Sequence, residues 1–333
     1  MCSGSSTAPK ADADAGAAAR PSMAAMGAQH AADPHNAAQA GARYFNSANA
    51  FNVKLPPVPA HRFEDEAAQA LAQGAPTGWT VCDQSAALGC GFPATTPLML
   101  ARYGRIAAGQ TLEADVVASG LICHVIAGRG FARTDGETVH WEAGDAFFVA
   151  GGQRVVFGAD DADDADAVLW VVTDEPLYAL AGARPAPDAR LRLPTVHYRR
   201  DDIARQVALV QAASPDAGTS GLAVVFSSAA LEAGRNILPT LTLSLNTLPG
   251  GAHQPPHRHN SAAITLVVAG DRCHTRIDGE DGPWSPWATL VTPPGAVHSH
   301  HNGGMEPARF LIVQDGGLHY HARTMGFAFL GDA

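Results

Sequence analysis

Pro97-Leu98-Met99-Leu100 through Val125-Ile126-Ala127-Gly128 reads, without a gap, onto Pro239-Thr240-Leu241-Thr242 through Val267-Val268-Ala269-Gly270. After one inserted residue the match resumes. Arg133-Thr134-Asp135-Gly136-Glu137 falls on Arg276-Ile277-Asp278-Gly279-Glu280, Trp141 on Trp284, and Gly152 on Gly295. Both copies close on an apolar strand, Val168 to Val172 and Phe310 to Val313. Self-similarity of this extent means one structural unit used twice. Inside each copy, alternating or wholly apolar runs of strand length are separated by Gly, Asp-Gly or Pro-Gly turns, the pattern of a small antiparallel barrel. A double-sheet jelly roll suits such a pattern and accommodates a site in its mouth. The expected fold class is all-β, with two jelly-roll barrels (double-stranded β-helices) built from an internal repeat.

The rest of the chain divides around the copies. Residues 1–40 are rich in Ala, Gly, Ser and Asp with almost no aromatics, so they bury too little apolar surface to offset ordering entropy and read as a disordered tail. Residues 41–78 read as an arm, with an extended Pro-containing piece and a short helical pattern from Glu64 to Ala72. The first barrel is expected over 79–180 and the second over 236–333. Between them, 181–235 holds a Pro/Arg/Ala linker and a weakly helical stretch from Arg200 to Ala213.

Composition narrows the partners. A formal charge of −10 and the lack of a Lys/Arg-rich run argue against nucleic acid and anionic membranes. No apolar run approaches spanning length, and the five scattered cysteines, without C-x-x-C spacing, suit a reducing compartment. A cytoplasmic location follows as the expectation. The arm, apolar and proline-bearing, is suited to packing outside a barrel, so a homo-oligomer is expected.

Chemistry concentrates in the second copy. In an extended strand residues i and i+2 share a face, so His257 and His259 can grip one ion from a single strand. The turn Pro293-Pro294-Gly295 delivers a third imidazole, His298, from another strand. The first copy acts as a control. There Asp115, Val117 and Val155 stand where the second has His257, His259 and His298, while turn glycines and core apolars persist. The first barrel is therefore read as degenerate and metal-free, and the three histidines as metal ligands rather than barrel filler. Three neutral ligands leave an ion's double charge uncompensated and its coordination open. Imidazole suits iron, zinc, copper and nickel alike.

At these residues the chain resembles bicupin ring-cleaving dioxygenases of the gentisate, salicylate and 1-hydroxy-2-naphthoate type, members of the cupin superfamily. Those enzymes carry a His-Arg-His segment with Ala at the position where many cupins have a Glu ligand, and a Thr-Pro turn leading to His-x-His and Asn. Here the matching stretches are His257-Arg258-His259 with Ala263, and Thr292-Pro293 leading to His298-Ser299-His300-His301-Asn302. The resemblance implies Fe(II) on His257, His259 and His298, in preference to Zn, Ni, Mn or Cu. It also implies insertion of both atoms of dioxygen into a chelated substrate. The chain departs from the family in three places. The family's iron usually sits in the N-terminal barrel; the aromatics expected before the third ligand are Gly295-Ala296-Val297; and a basic residue expected near an aromatic carboxylate is Thr265.

Other residues carry expectations of their own. His300 shares strand parity with His298 and suits a proton-relaying role or a cap on the mouth. Gln314 replaces Thr173 of the first copy and can hydrogen-bond a ligand or a bound oxygen. Arg272, His274 and Arg276 form a one-sided basic stripe, read as a solvated outer face. His319 and His321 imitate a ligand pair but are read as a mouth or interface segment, and the Asp160-to-Asp166 run as a solvated loop. The expected function is an Fe(II)-dependent ring-cleaving dioxygenase taking a small anionic chelating substrate, a hydroxylated aromatic acid, and O2. The alternatives are oxygenation of a thiol or diketone, isomerase or lyase chemistry on the same site, and a non-catalytic metal-containing binding protein.

Overall fold

The computed structural model describes residues 20, 22–50, 53–161, 165–186, 188, 190, 192–214 and 221–330. Residues 1–55 and 56–333 are two compact units. In the first, Gln29–His30 pairs with Arg43–Tyr44, and the helix Ala37–Ala40 is capped by the Asn36 side chain, which accepts from Gln39 N. The residues of these elements are not buried, so side-chain caps and turn bonds rather than a core give this unit its local order. Of the Ala/Gly-rich stretch 1–40, residues 1–19 and 21 lie outside the described residues.

The second unit holds the two barrels, each a pair of antiparallel sheets. In the first barrel a six-stranded sheet runs 196–198, 146–150, 120–127, 167–173, 100–106, 78–82, facing a four-stranded sheet ordered 111–115, 154–159, 129–133, 138–142. In the second barrel the six-stranded sheet runs 222–226, 242–248, 308–314, 263–269, 289–292, 61–63. Its partner has five strands, ordered 280–283, 273–277, 298–302, 257–259, 327–329.

The outer faces of the two six-stranded sheets pack against each other. Alternation along the central strands sends Ile122, Phe148 and Trp170 from one barrel, and Leu243, Leu266 and Leu311 from the other, into one shared apolar layer. Polar groups within that layer are bonded across it: Tyr103 Oη donates to the Trp287 carbonyl at 2.6 Å, and Trp170 Nε1 donates to Thr289 Oγ1 at 2.9 Å.

Segments outside the repeat finish the sheets. From the arm, His61–Phe63 pairs with Thr289–Thr292 at the edge of the second barrel, followed by the helix Glu64–Leu71. Val196–Tyr198 and Leu222–Phe226 cover one edge of each six-stranded sheet. Between them runs the helix Arg200–Ala212. The acidic run is not purely solvated: Asp166 pairs with Arg105, whose side chain is buried, while residues 162–164 lie outside the described residues.

Candidate metal centre

His257 and His259 occupy alternate positions of the strand His257–His259, and both are buried, with Arg258 between them exposed. His298 begins the neighbouring strand and pairs directly with His257. One nitrogen from each of the three rings lies within 4.8 Å of the others. Each Nδ1 faces a backbone carbonyl: Pro255 O at 2.9 Å, Ser261 O at 2.8 Å and Ala296 O at 3.0 Å. A carbonyl only accepts, so each Nδ1 carries the proton and each Nε2 keeps its lone pair. Burial holds all three rings below the usual imidazole range, His298 down to about 3 with its two neighbours adding to the effect. The rings are therefore neutral, the form in which imidazole binds a metal.

The pocket around them, of about 580 Å³, mixes polar residues such as Ser244, Asn246 and Gln254 with apolar ones such as Leu243, Met325 and Phe327. Ala263 leaves the fourth-ligand position without a donor. Thr265 lies on the same wall, 1% exposed, with its hydroxyl unpartnered among the described residues. Arg235 is the one charged lining residue among those described.

His300 is buried and lines the same pocket, sharing the parity of His298. The Thr275 hydroxyl accepts from Trp284 Nε1 at 2.8 Å and stands 2.9 Å from His300 Nδ1, so its own proton is free to go to that nitrogen. His300 then carries its proton on Nε2. Burial, first, and the neighbouring histidines push its basicity well below the ordinary value. It is thus a neutral donor rather than an imidazolium. Gln314 sits with its amide nitrogen 3.4 Å from His259 Nε2, and Ser261 Oγ donates to its carbonyl oxygen at 3.3 Å. That orientation aims the amide N–H groups at the point where the imidazoles converge.

The other sequence candidates fall away from this point. Arg276 pairs with Asp281 at 2.7 Å, and His274 stacks on His301 with ring centroids 4.5 Å apart. His319 and His321 belong to the helix Gly316–Ala322, where positions two apart diverge around the axis, so they do not form a ligand pair. Phe327 went unnoticed in the sequence. The strand Phe327–Phe329 pairs with His257–His259 and brings the Phe327 ring to 5.4 Å from that of His257. Its only signal is the alternation Phe327-Ala328-Phe329.

Comparison with known proteins bears on both barrels. A family model described as a cupin domain matches residues 244–314. The salicylate 1,2-dioxygenase from Pseudaminobacter salicylatoxidans superposes with a TM-score of 0.70 at 14% identity, covering 87% of this chain and 93% of that one. This chain has the bicupin fold. In sequence the bicupin is similar to the gentisate 1,2-dioxygenase of Ralstonia sp, 37% identical over 79 residues. That match covers 24% of this chain and 22% of the relative. It is also similar to the 1-hydroxy-2-naphthoate 1,2-dioxygenase of Nocardioides sp. (strain KP7), 28% identical over 153 residues, or 45% of this chain and 38% of that one. The bicupin thus spans well under half the length of these curated relatives. Among its described residues no helix is long and apolar enough to cross a membrane.

Proposed function

We propose that this bicupin is an Fe(II)-dependent ring-cleaving dioxygenase whose substrate is a small hydroxylated aromatic acid. One observation carries the reading: three buried imidazoles converge with each Nδ1–H committed to a carbonyl, so each Nε2 keeps a lone pair and one nitrogen of each ring lies within 4.8 Å of the others. The sequence likeness to gentisate and hydroxynaphthoate dioxygenases supports the reaction class. The donor set fits the metal, being all imidazole, neutral and open at Ala263.

His257, His259 and His298 hold the ion in this reading. Fe(II), when bound, supplies a centre at which dioxygen and a chelating substrate meet and exchange electrons. Gln314, oriented by Ser261, would offer an amide N–H to the space where the three imidazoles converge. His300 offers its Nε2–H to the pocket and, being neutral, orients or stabilises an oxygen anion instead of delivering a proton from an imidazolium. The Thr265 hydroxyl, buried and unpartnered, takes a polar substituent of the substrate. Arg235 supplies the counter-charge for its carboxylate. The family's basic residue is missing at Thr265, so the anionic end is read as lying towards Arg235.

Metal analysis of the protein as purified, followed by oxygen uptake of the Fe(II)-loaded protein, tests this reading. Uptake with hydroxybenzoates or hydroxynaphthoates supports ring cleavage. Uptake with thiols or diketones alone rejects it, and silence with every substrate favours a binding protein. Four unpaired cysteines among the described residues support a reducing, cytoplasmic setting. Exposed Val225, Phe327 and Phe329 support association of copies near the mouth, which sedimentation equilibrium reads.

A further inference from the structure

A second cavity, of about 430 Å³, lies between the barrels beneath the helix Arg200–Ala212. It is distinct from the metal pocket. The two lie on opposite faces of one sheet: Ser244 and Gln314 line the metal pocket, whereas Leu245 and Leu311 on the same strands line this cavity. Its walls are mostly apolar, with Val207, Phe226 and Leu245 among them.

Three lining residues break the internal repeat, and strand pairing fixes their counterparts. His124 pairs with Ala146 as Leu266 pairs with Thr289, so an imidazole stands where the sister barrel has leucine. Trp287 N donates to Val267 O at 2.9 Å as Gly144 N does to Val125 O at the same length, so a tryptophan stands where the sister has glycine. Arg309 pairs with Ala269 as Val168 pairs with Ala127, so a guanidinium replaces valine. Three residues, His124 and Arg309 on strands and Trp287 in a turn, depart from the repeat and meet at one cavity.

Two of the departures, His124 and Trp287, cost stability, and the third, Arg309, leaves an exposed guanidinium at the cavity. His124 is 8% exposed, and among the described residues neither ring nitrogen has a partner within full hydrogen-bond geometry, the nearest polar neighbour being the backbone of Asp145. Leucine, as in the sister barrel, would carry no such penalty. Trp287 has φ +63°, a backbone region that its counterpart Gly144, at +94°, enters freely and a bulky side chain does not. Uncompensated strain and unsatisfied polar groups collected at one concavity mark a binding site. Arg200 is engaged with Glu142 and Asp201, whereas Arg309 makes no ion pair among the described residues.

We infer that this inter-barrel cavity binds a small aryl carboxylate, with the ring against Trp287, the carboxylate on Arg309, and a hydrogen-bonding substituent on His124. A neutral imidazole offers one donor and one acceptor, which suits a hydroxyl or an ester as that substituent. The site does not depend on the metal centre or on its reaction.

Crystals of the full chain soaked in 3-bromo-4-hydroxyphenylacetate, whose ring hydroxyl supplies the group that His124 would bond, with the bromine located by anomalous scattering, test the assignment together with calorimetric titration. The variants His124→Leu and Arg309→Val each install the residue that the sister barrel already uses, so both are expected to fold. Bromine density beneath the helix is expected in the wild type, with affinity about tenfold weaker in Arg309→Val, the loss of one charge-assisted contact. His124→Leu is expected to raise the melting temperature while also weakening binding. Density confined to the metal pocket, or none, overturns the inference. So does binding unchanged in both variants, which would make the three departures features of packing alone.

Discussion

One barrel is filled and the other is hollow. At inward-facing positions the first barrel places Leu121, Cys123, Val149 and Val171, and these join Phe147 and Phe157 in a continuous interior core. Strand pairing puts Ala263, Thr265, Thr292 and Ile312 at the same four places in the second barrel. At three of these places, Ala263, Thr265 and Thr292, the side chain is smaller or more polar, and the apolar clusters inside the second barrel are correspondingly small. At the mouth of the first barrel, Arg102 pairs with Glu175 beside Trp79, where the second barrel has Ser244. The fold is indifferent to which filling it receives because the backbone ladders and the outer-face core are common to both. Interior apolar packing is concentrated in one copy and the imidazole cluster in the other.

Giving the second barrel a residue of the first breaks this contrast most severely. His298→Val, which installs the counterpart Val155, is expected to abolish stoichiometric metal, read by elemental analysis, and to cut oxygen uptake at least about 100-fold. The metal-free variant is expected to melt no lower than the metal-free parent, because valine fills the equivalent place in the sister barrel. A large fall in the melting temperature would show that His298 is structural.

The paired aspartates at the ends of corresponding strands sharpen the contrast next. Asp174 accepts from Ser119 N, Ser119 Oγ and Thr240 Oγ1, whereas Asp315 accepts from Ala262 N while similarly buried. Burial raises Asp315 to about 7. The folded chain therefore holds a proton that the unfolded chain has released between about 4 and 7, so this group's contribution falls as pH rises across that window. Asp315→Asn is expected to flatten that fall and to add about 1–3 kcal/mol at pH 8, read by denaturant titration at several pH values. Asp174→Asn is expected to act in the opposite direction, losing about 1–3 kcal/mol by putting an amide nitrogen in place of the oxygen that accepts from Ser119 Oγ and Thr240 Oγ1.

Smaller effects test the support of the site. Thr275→Val removes the hydroxyl between Trp284 and His300, and is expected to lower turnover about 3- to 10-fold with metal content unchanged. Restoration of turnover by Thr275→Ser would tie the loss to the hydroxyl. Arg276→Ala, which removes an exposed ion pair with Asp281, is expected to change stability by less than about 0.5 kcal/mol and activity not at all. A strong effect on substrate affinity would return the basic stripe to the site.

Much of this was legible because it depends on neighbours along the chain. Period-two alternation and Gly or Pro turns mark strands wherever they occur, and Glu64–Leu71 and Arg200–Ala212 form the helices that their spacing suggested. His319 and His321 show where local reading fails. Their spacing is ligand-like on a strand, and the helix Gly316–Ala322 removes the resemblance. Phe327–Phe329 shows a different limit, since a three-residue strand has too little pattern to announce the pairing that brings it beside His257.

The sequence by itself determined the repeat, the all-β architecture, and the asymmetry that singles out His257, His259 and His298. These follow from residue identity at matched positions, which needs no folding to be seen. Tertiary structure decided the rest: the carbonyls that lock each Nδ1, the hydroxyl bridge to His300, and the convergence of His124, Trp287 and Arg309 between the barrels. The physical reason is that those contacts join sheet faces and strands far apart in sequence. No period or turn encodes such a meeting; it exists only once both sheets are packed and their faces assigned.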